Sequence, residues 1–182
     1  MTASRFLELV KLVDSAGYAD EIDWAVNIPK RKVNGPKDFA CEAIWIILNS
    51  GMREQIARII QKRIYDAVSE GRPVLLAFNH PGKAAIIQRL FDDPNPYYNK
   101  WYMSNDKLAA LREIPFIGPI TVWHLAKNLG MDVCKPDRHM VRIAGQSNET
   151  PEQLCTRLSE ETGWNIAAID TVIWRAANLK IL

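Results

Sequence analysis

Helical periodicity runs through almost the whole chain, and the alternation of half-buried strands is nearly absent, so the expected fold class is all-α. Phe6, Leu9, Val10 and Val13 recur at helical spacing and predict a first helix closed at Gly17. Over residues 37–49 the apolar set Phe39, Ala43, Ile44, Trp45, Ile46, Ile47 and Leu48 covers most sides, the pattern of a helix buried from all directions. A third helix, near 52–69, places Ile56, Ile59, Ile60, Ile64 and Val68 on one stripe. A fourth spans about 84–91, after which residues 94–102 read as a loop. Two short helices follow at 108–113 and 120–128, with Gly130 placed to end the second. Another begins after Asp137 and runs to about Ala144. Thr150-Pro-Glu-Gln153 has capping-box spacing with Pro at the first helical position, and a last helix over 165–179 buries Ile166, Ile169, Val172, Ile173 and Ala176. The basic, Pro- and Gly-punctuated stretch 28–36 is the best candidate for a crossing between lobes.

Composition sets outer bounds. A chain of 182 residues, 48% hydrophobic, can bury one substantial core or two small lobes. A net charge of +2 is too mild to announce a nucleic-acid coat, although backbone amides and a few local cations suffice to hold duplex DNA. With no apolar run of about 18 residues and no signal-peptide pattern, the expectation is a soluble, cytoplasmic protein without a membrane partner, and a monomer. Cys41, Cys134 and Cys155 are isolated from one another, so neither a zinc site nor an iron–sulfur cluster is expected, and the thiols read as packing residues.

The chemistry concentrates between Ile114 and Asp137. Ile114-Pro-Phe-Ile-Gly-Pro119 reads as a tight turn in which Pro115 fixes φ, Gly118 permits a conformation or close approach denied to other residues, and Ile114 and Ile117 anchor the turn inward. A helix starting directly after it would leave backbone N–H groups near Gly118 and Ile120 pointing outward, where they and the helix dipole attract a phosphate. Farther on, Lys135-Pro-Asp-Arg-His139 opens a second helix, and Asp137 lies 19 residues after Gly118.

This pairing resembles the helix-hairpin-helix DNA glycosylases related to endonuclease III, whose hairpin typically reads Leu-Pro-Gly-Val-Gly and whose catalytic aspartate follows at about this distance. Phe116 departs from the pattern, standing where the family usually has its first glycine. The resemblance implies a two-lobed helical fold, with residues 30–132 as the central lobe carrying the hairpin, 1–29 plus 133–182 as the second lobe, and Asp137 at the mouth of the cleft between them. It implies double-stranded DNA as partner, touched by Phe116, Ile117, Gly118, Pro119, Ile120, Thr121, Arg138 and His139. It implies a base pocket or wedge drawn from Trp45, Asn49, Met52, Tyr98 and Trp101, the first three from a segment similar to the family's buried helix and following turn. No cofactor is implied beyond a Na⁺ or K⁺ ion held by backbone carbonyls at Arg112, Ile114 and Ile117.

A single carboxylate suffices for base removal. As the N-glycosidic bond breaks, positive charge develops on the deoxyribose, which an ionised Asp stabilises while orienting or deprotonating water. Some family members carry a lysine two residues beyond the second glycine, which attacks the sugar and then cuts the strand; this chain has Ile120 there, so the resemblance implies a monofunctional glycosylase. Three readings stay open beside it. Asp137 alone also fits a helix N-cap. The whole chain fits a glycosylase-fold transferase of the phage kind that attaches amino acids or polyamines to thymine, or a non-catalytic hairpin module that only clamps DNA. The aromatic cluster at 97–102 fits a core as well as a stacking slot, His80 and His124 read as structural, and Lys83, Lys127 and Arg142 as phosphate contacts or solvated surface.

Overall fold

A computed structural model describes all residues 1–182, and every regular element in it is helical. The chain divides into two compact units, one made of Met1–Lys32 with Ala126–Leu182, the other of Val33–Leu125.

The first unit is organised around α12 (Ile166–Asn178). Ile169, Asp170, Thr171, Val172, Ile173 and Ala176 are all buried, which leaves this helix almost no solvent face. Packed on it are α1 (Ala3–Val13), α2 (Ala19–Val26), α10 (Arg138–Gly145) and α11 (Pro151–Thr162). Phe6, Leu9 and Val13 from α1 meet Met140, Ile143, Leu154, Leu158, Val172 and Ile173, and Trp164 sets its ring edge-on to Phe6 at 5.6 Å. The expected stop at Gly17 is a turn with φ of 89°, and α2 follows it at once, a helix the apolar pattern did not reveal. Thr150 and Gln153 form the capping box reciprocally. Cys134 and Cys155 are buried in this core, whereas Cys41 is exposed.

An ion pair closes one edge of this unit. Arg157 donates to both oxygens of Glu149 at 2.8 Å, and its guanidinium holds the Glu149 carboxyl below the usual carboxylate range. A depressed carboxyl stabilises the fold above the unfolded value, near pH 4.3, and loses that contribution as pH falls through the folded value. Glu149→Gln is therefore expected to lower the melting temperature at pH 7, with the gap to wild type closing below about pH 4; a pH-independent gap would contradict this assignment.

The second unit packs α3 (Pro36–Asn49) against α4 (Glu54–Ser69), α6 (Pro81–Asp92) and α7 (Asn95–Met103), with the short α5 (Val74–Ala77) between α4 and α6. Of residues 94–102, expected as a loop, Pro94 is the N-cap and the rest lie in the helix α7: Pro96 fits a first helical turn, and Tyr98 and Trp101, three apart, both reach Phe39. The face of α4 also differs from expectation. Ala57, Ile64 and Ala67 are buried while Ile56 and Ile59 are about half exposed, because small residues let α4 approach its neighbours closely and turn the isoleucine stripe partly outward. No helix is long and apolar enough to cross a membrane.

Candidate active site

The hairpin turn and the helix before it belong to the second unit. Its first helix, α8 (Lys107–Arg112), is capped by Asp106, which accepts from the Ala109 N–H at 2.9 Å. Buried Ile114 and Ile117 anchor the turn, and the Ile117 N–H donates to the Ile114 carbonyl at 3.0 Å. The second helix, α9 (Thr121–Asn128), starts one residue later than the pattern suggested.

Two expectations for the turn are corrected. The Gly118 N–H is not free: it donates to Thr121 Oγ1 at 2.7 Å, which ties the turn to the first residue of α9. The amides left over are those of Ile120 and Thr121, neither of which donates to another backbone group, while Val122 donates to the Gly118 carbonyl. The strained residue is also not Gly118. Phe116 carries the left-handed φ of 70°, at the position where the resembled hairpin has a glycine. Its ring, 43% exposed overall, lies edge-on to His80 at 5.7 Å and occupies the space beside Gly82. Phe116→Gly and Phe116→Ala both remove the ring, but only Ala keeps the strain, so Gly is expected to be the more stable variant by about 1 kcal/mol. Equal melting temperatures would refute that strain.

The candidates for base pocket or wedge also lie in this unit. Asn49 ends α3, and it and Met52 are half-buried. Trp45 lies half-buried under the Arg58 guanidinium, 5.0 Å from its ring centre. Tyr98 is half-buried between Phe39 and Tyr102. Trp101 is buried against Phe39, with an indole N–H that meets no acceptor. His80 is an N-cap, its Nδ1 accepting from the Lys83 N–H, and Lys83, read from sequence as surface or phosphate contact, is buried.

Asp137 belongs to the first unit, where it is the N-cap of α10. Its two oxygens have different surroundings. Oδ1 accepts from the N–H groups of His139 at 2.9 Å and Met140 at 3.1 Å. Oδ2 takes no hydrogen bond and faces Lys135 Nζ at 4.0 Å, with the side chain 13% exposed. The cap therefore uses one oxygen only. Arg138 is exposed and its Nε–H leans on His139 Nε2 at 3.4 Å.

The loop leading to Asp137 is fastened by α12, through residues the sequence reading missed. Asp132 accepts from the Ala167 N–H at 2.8 Å, and buried Asp170 lies one turn farther along the same helix. Asp170 pairs with buried Lys127 Nζ at 2.5 Å, at the end of α9, so Lys127 is neither solvated nor available to phosphate. The signal for Asp170 was present: one acid inside Ile-Ala-Ala-Ile-Asp-Thr-Val-Ile has to meet a partner. Gly130, with φ of 91°, ends α9 as expected, and a Cβ there would lie 2.7 Å from the Arg31 carbonyl oxygen. No group of three or more His, Cys, Asp or Glu side chains is placed to hold a metal ion.

The sequence matches no family model and no curated protein. In structure it is similar to an 8-oxoguanine glycosylase/lyase of Methanocaldococcus jannaschii, solved in complex with a 15mer DNA containing 8-oxoguanine, with a TM-score of 0.66 and 22% identity over 96% of this chain and 98% of that one. The chain thus has the helix-hairpin-helix glycosylase fold, aligned over nearly its full length.

Proposed function

We propose that this protein is a monofunctional DNA glycosylase, which hydrolyses the N-glycosidic bond of a damaged or modified base extruded from duplex DNA. The observation that carries the reading is the division of labour at Asp137: one oxygen holds the helix, and the other is unbonded beside a cation, on a fold shared with a glycosylase/lyase. The free oxygen orients and deprotonates the attacking water and stabilises the cationic sugar as the base departs. Thr121 and Ile120 offer their amides to a phosphate at the start of α9, where the helix dipole adds to the attraction, and Arg138 and His139 supply further contacts. Phe116, Ile117, Gly118 and Pro119 bring the turn against the backbone, and Trp45, Asn49, Met52, Tyr98 and Trp101 receive the base or fill the gap it leaves.

Ile120 removes the amine needed for a sugar adduct, so the product is an abasic site in an uncut strand. The carbonyls of Arg112, Ile114 and Ile117 suit a Na⁺ or K⁺ ion: those of Arg112 and Ile117 accept no backbone hydrogen bond, and Ile114 keeps a lone pair. Such an ion would stiffen the turn and add positive charge towards the phosphate.

The test is a panel of duplexes carrying 8-oxoguanine, alkylated purines, deaminated pyrimidines or 5-hydroxymethyluracil. Free base should appear from at least one, with strand breaks only after alkali. With an amino acid or polyamine supplied as donor and a thymine whose methyl group carries a leaving group, an adduct on the base in place of release would support the transferase reading, and binding without chemistry on every duplex would support the clamp.

A further inference from the structure

We propose that the first turn of α6, residues 80–83, is a positioning element that ties Phe116 of the hairpin to the turn following α3, with Lys83 as the positioning residue for that turn. This rests on the glycosylase reading, in which the hairpin grips backbone and the turn after α3 fills the space of an extruded base.

Three contacts converge on these four residues. Lys83 Nζ donates to the carbonyl oxygen of Ser50 at 2.6 Å, and Ser50 is the C-cap of α3, directly after Asn49 and two residues before Met52. Gly82 meets the hairpin from the other side: a Cβ there would stand 2.8 Å from Phe116 Cζ, so the ring occupies the place a side chain would take. His80 caps α6 through Nδ1, stacks on Phe78 at 5.9 Å, and receives Phe116 edge-on. One helical turn therefore touches both of the turns assigned to DNA, and Phe116 serves it as a strut.

The choice of lysine at position 83 is costly for packing alone. Its ammonium is buried with no carboxylate beside it, and burial pushes its proton affinity down. The negative end of the α3 dipole, reached through the Ser50 carbonyl, is what compensates the charge. A methionine would fill the same volume without that cost, but would leave the Ser50 carbonyl unheld and the turn that follows it free to shift.

The experiment compares binding of the full-length protein to a plain duplex and to the same duplex with a tetrahydrofuran abasic analogue, whose extruded position the turn after α3 would fill. Wild type is expected to prefer the analogue. Lys83→Met should bind plain duplex within about twofold of wild type while its preference falls about tenfold, the effect of losing one hydrogen bond from a charged donor. Gly82→Ala places a good helix former in α6 and displaces the Phe116 ring, so it should weaken binding to both duplexes alike, severalfold, and it carries the test if Lys83→Met does not fold. A folded Lys83→Met that keeps the full preference, or that loses affinity for both duplexes equally, overturns the role of Lys83. Gly82→Ala with unchanged affinity overturns the strut. A wild type with no preference for the analogue overturns the inference together with the base-extrusion reading, whereas base release from the lesion panel with Lys83→Met unaffected overturns the inference alone.

Discussion

Asp137→Asn is expected to abolish base release, by a factor of roughly a thousand or more, while duplex binding and folding stay as in wild type. The size follows from two roles lost together, the anion that stabilises the sugar cation and the base that takes a proton from water. The selectivity follows from the geometry. An asparagine oxygen accepts the same two N–H groups from His139 and Met140, and Asn ranks with Asp as an N-cap, so α10 keeps its start. Asp137→Ala separates the two functions further. It should lose release to the same extent and in addition about 1 kcal/mol of stability, the usual cost of removing a cap. Single-turnover release beside a chemical melt of each protein gives both numbers, and equal stability of the Asn and Ala variants would deny the cap.

Breaking the Lys127–Asp170 pair is expected to be the most damaging substitution in the first unit. Each partner is almost wholly buried, and removing one leaves the other's charge unpaired in the interior, a loss of about 3–5 kcal/mol. A domain of this size has about 5–15 kcal/mol in total, so Lys127→Met or Asp170→Leu alone should bring unfolding close to ambient conditions. The double variant Lys127→Met/Asp170→Leu should recover most of that loss, because two apolar residues no longer bury a charge. Burial pushes the Asp170 carboxyl up against the pull of Lys127, which marks the desolvation that the pair has to offset. Urea midpoints for the two single variants and the double decide the point; strictly additive losses would mean that the charges are not coupled.

What the sequence made legible was periodic or motif-borne. The all-α class, the capping box at Thr150, the end of α9 at Gly130 and the buried anchors Ile114 and Ile117 followed from local rules that tertiary packing had no reason to override. The misses share a different origin. Residues 94–102 looked like a loop because Pro and Asn punctuate them, yet packing of Tyr98 and Trp101 on Phe39 makes a helix worth forming there. Ile56 and Ile59 looked like core because they are isoleucines, but alanines at 57 and 67 set the closest face of α4. In the hairpin, the rule that glycine takes the left-handed conformation pointed to Gly118, and the chain placed Phe116 there, braced by contacts from α6 that no local pattern reports. Lys83, Lys127 and Asp170 could be suspected from sequence only as charges in apolar surroundings; their partners lie 33 to 43 residues away.

The proposal at the centre is that the hairpin holds the DNA strand and that Asp137 performs the chemistry of base release. Gly118 offers a clean probe of the first half, because a Cβ there would meet only Thr121 Oγ1, at an ordinary 3.8 Å, so the fold accepts a side chain that a DNA backbone in close approach would not. The deciding measurement is single-turnover base release, titrated to saturating enzyme, on whichever lesion duplex wild type processes, for wild type, Gly118→Leu and Asp137→Asn together. The account expects Gly118→Leu to need much more enzyme for half-saturation yet to approach the wild-type rate at saturation, and Asp137→Asn to saturate like wild type with release lost. Release by Asp137→Asn at the wild-type rate, or a Gly118→Leu protein that binds as tightly as wild type, would contradict it.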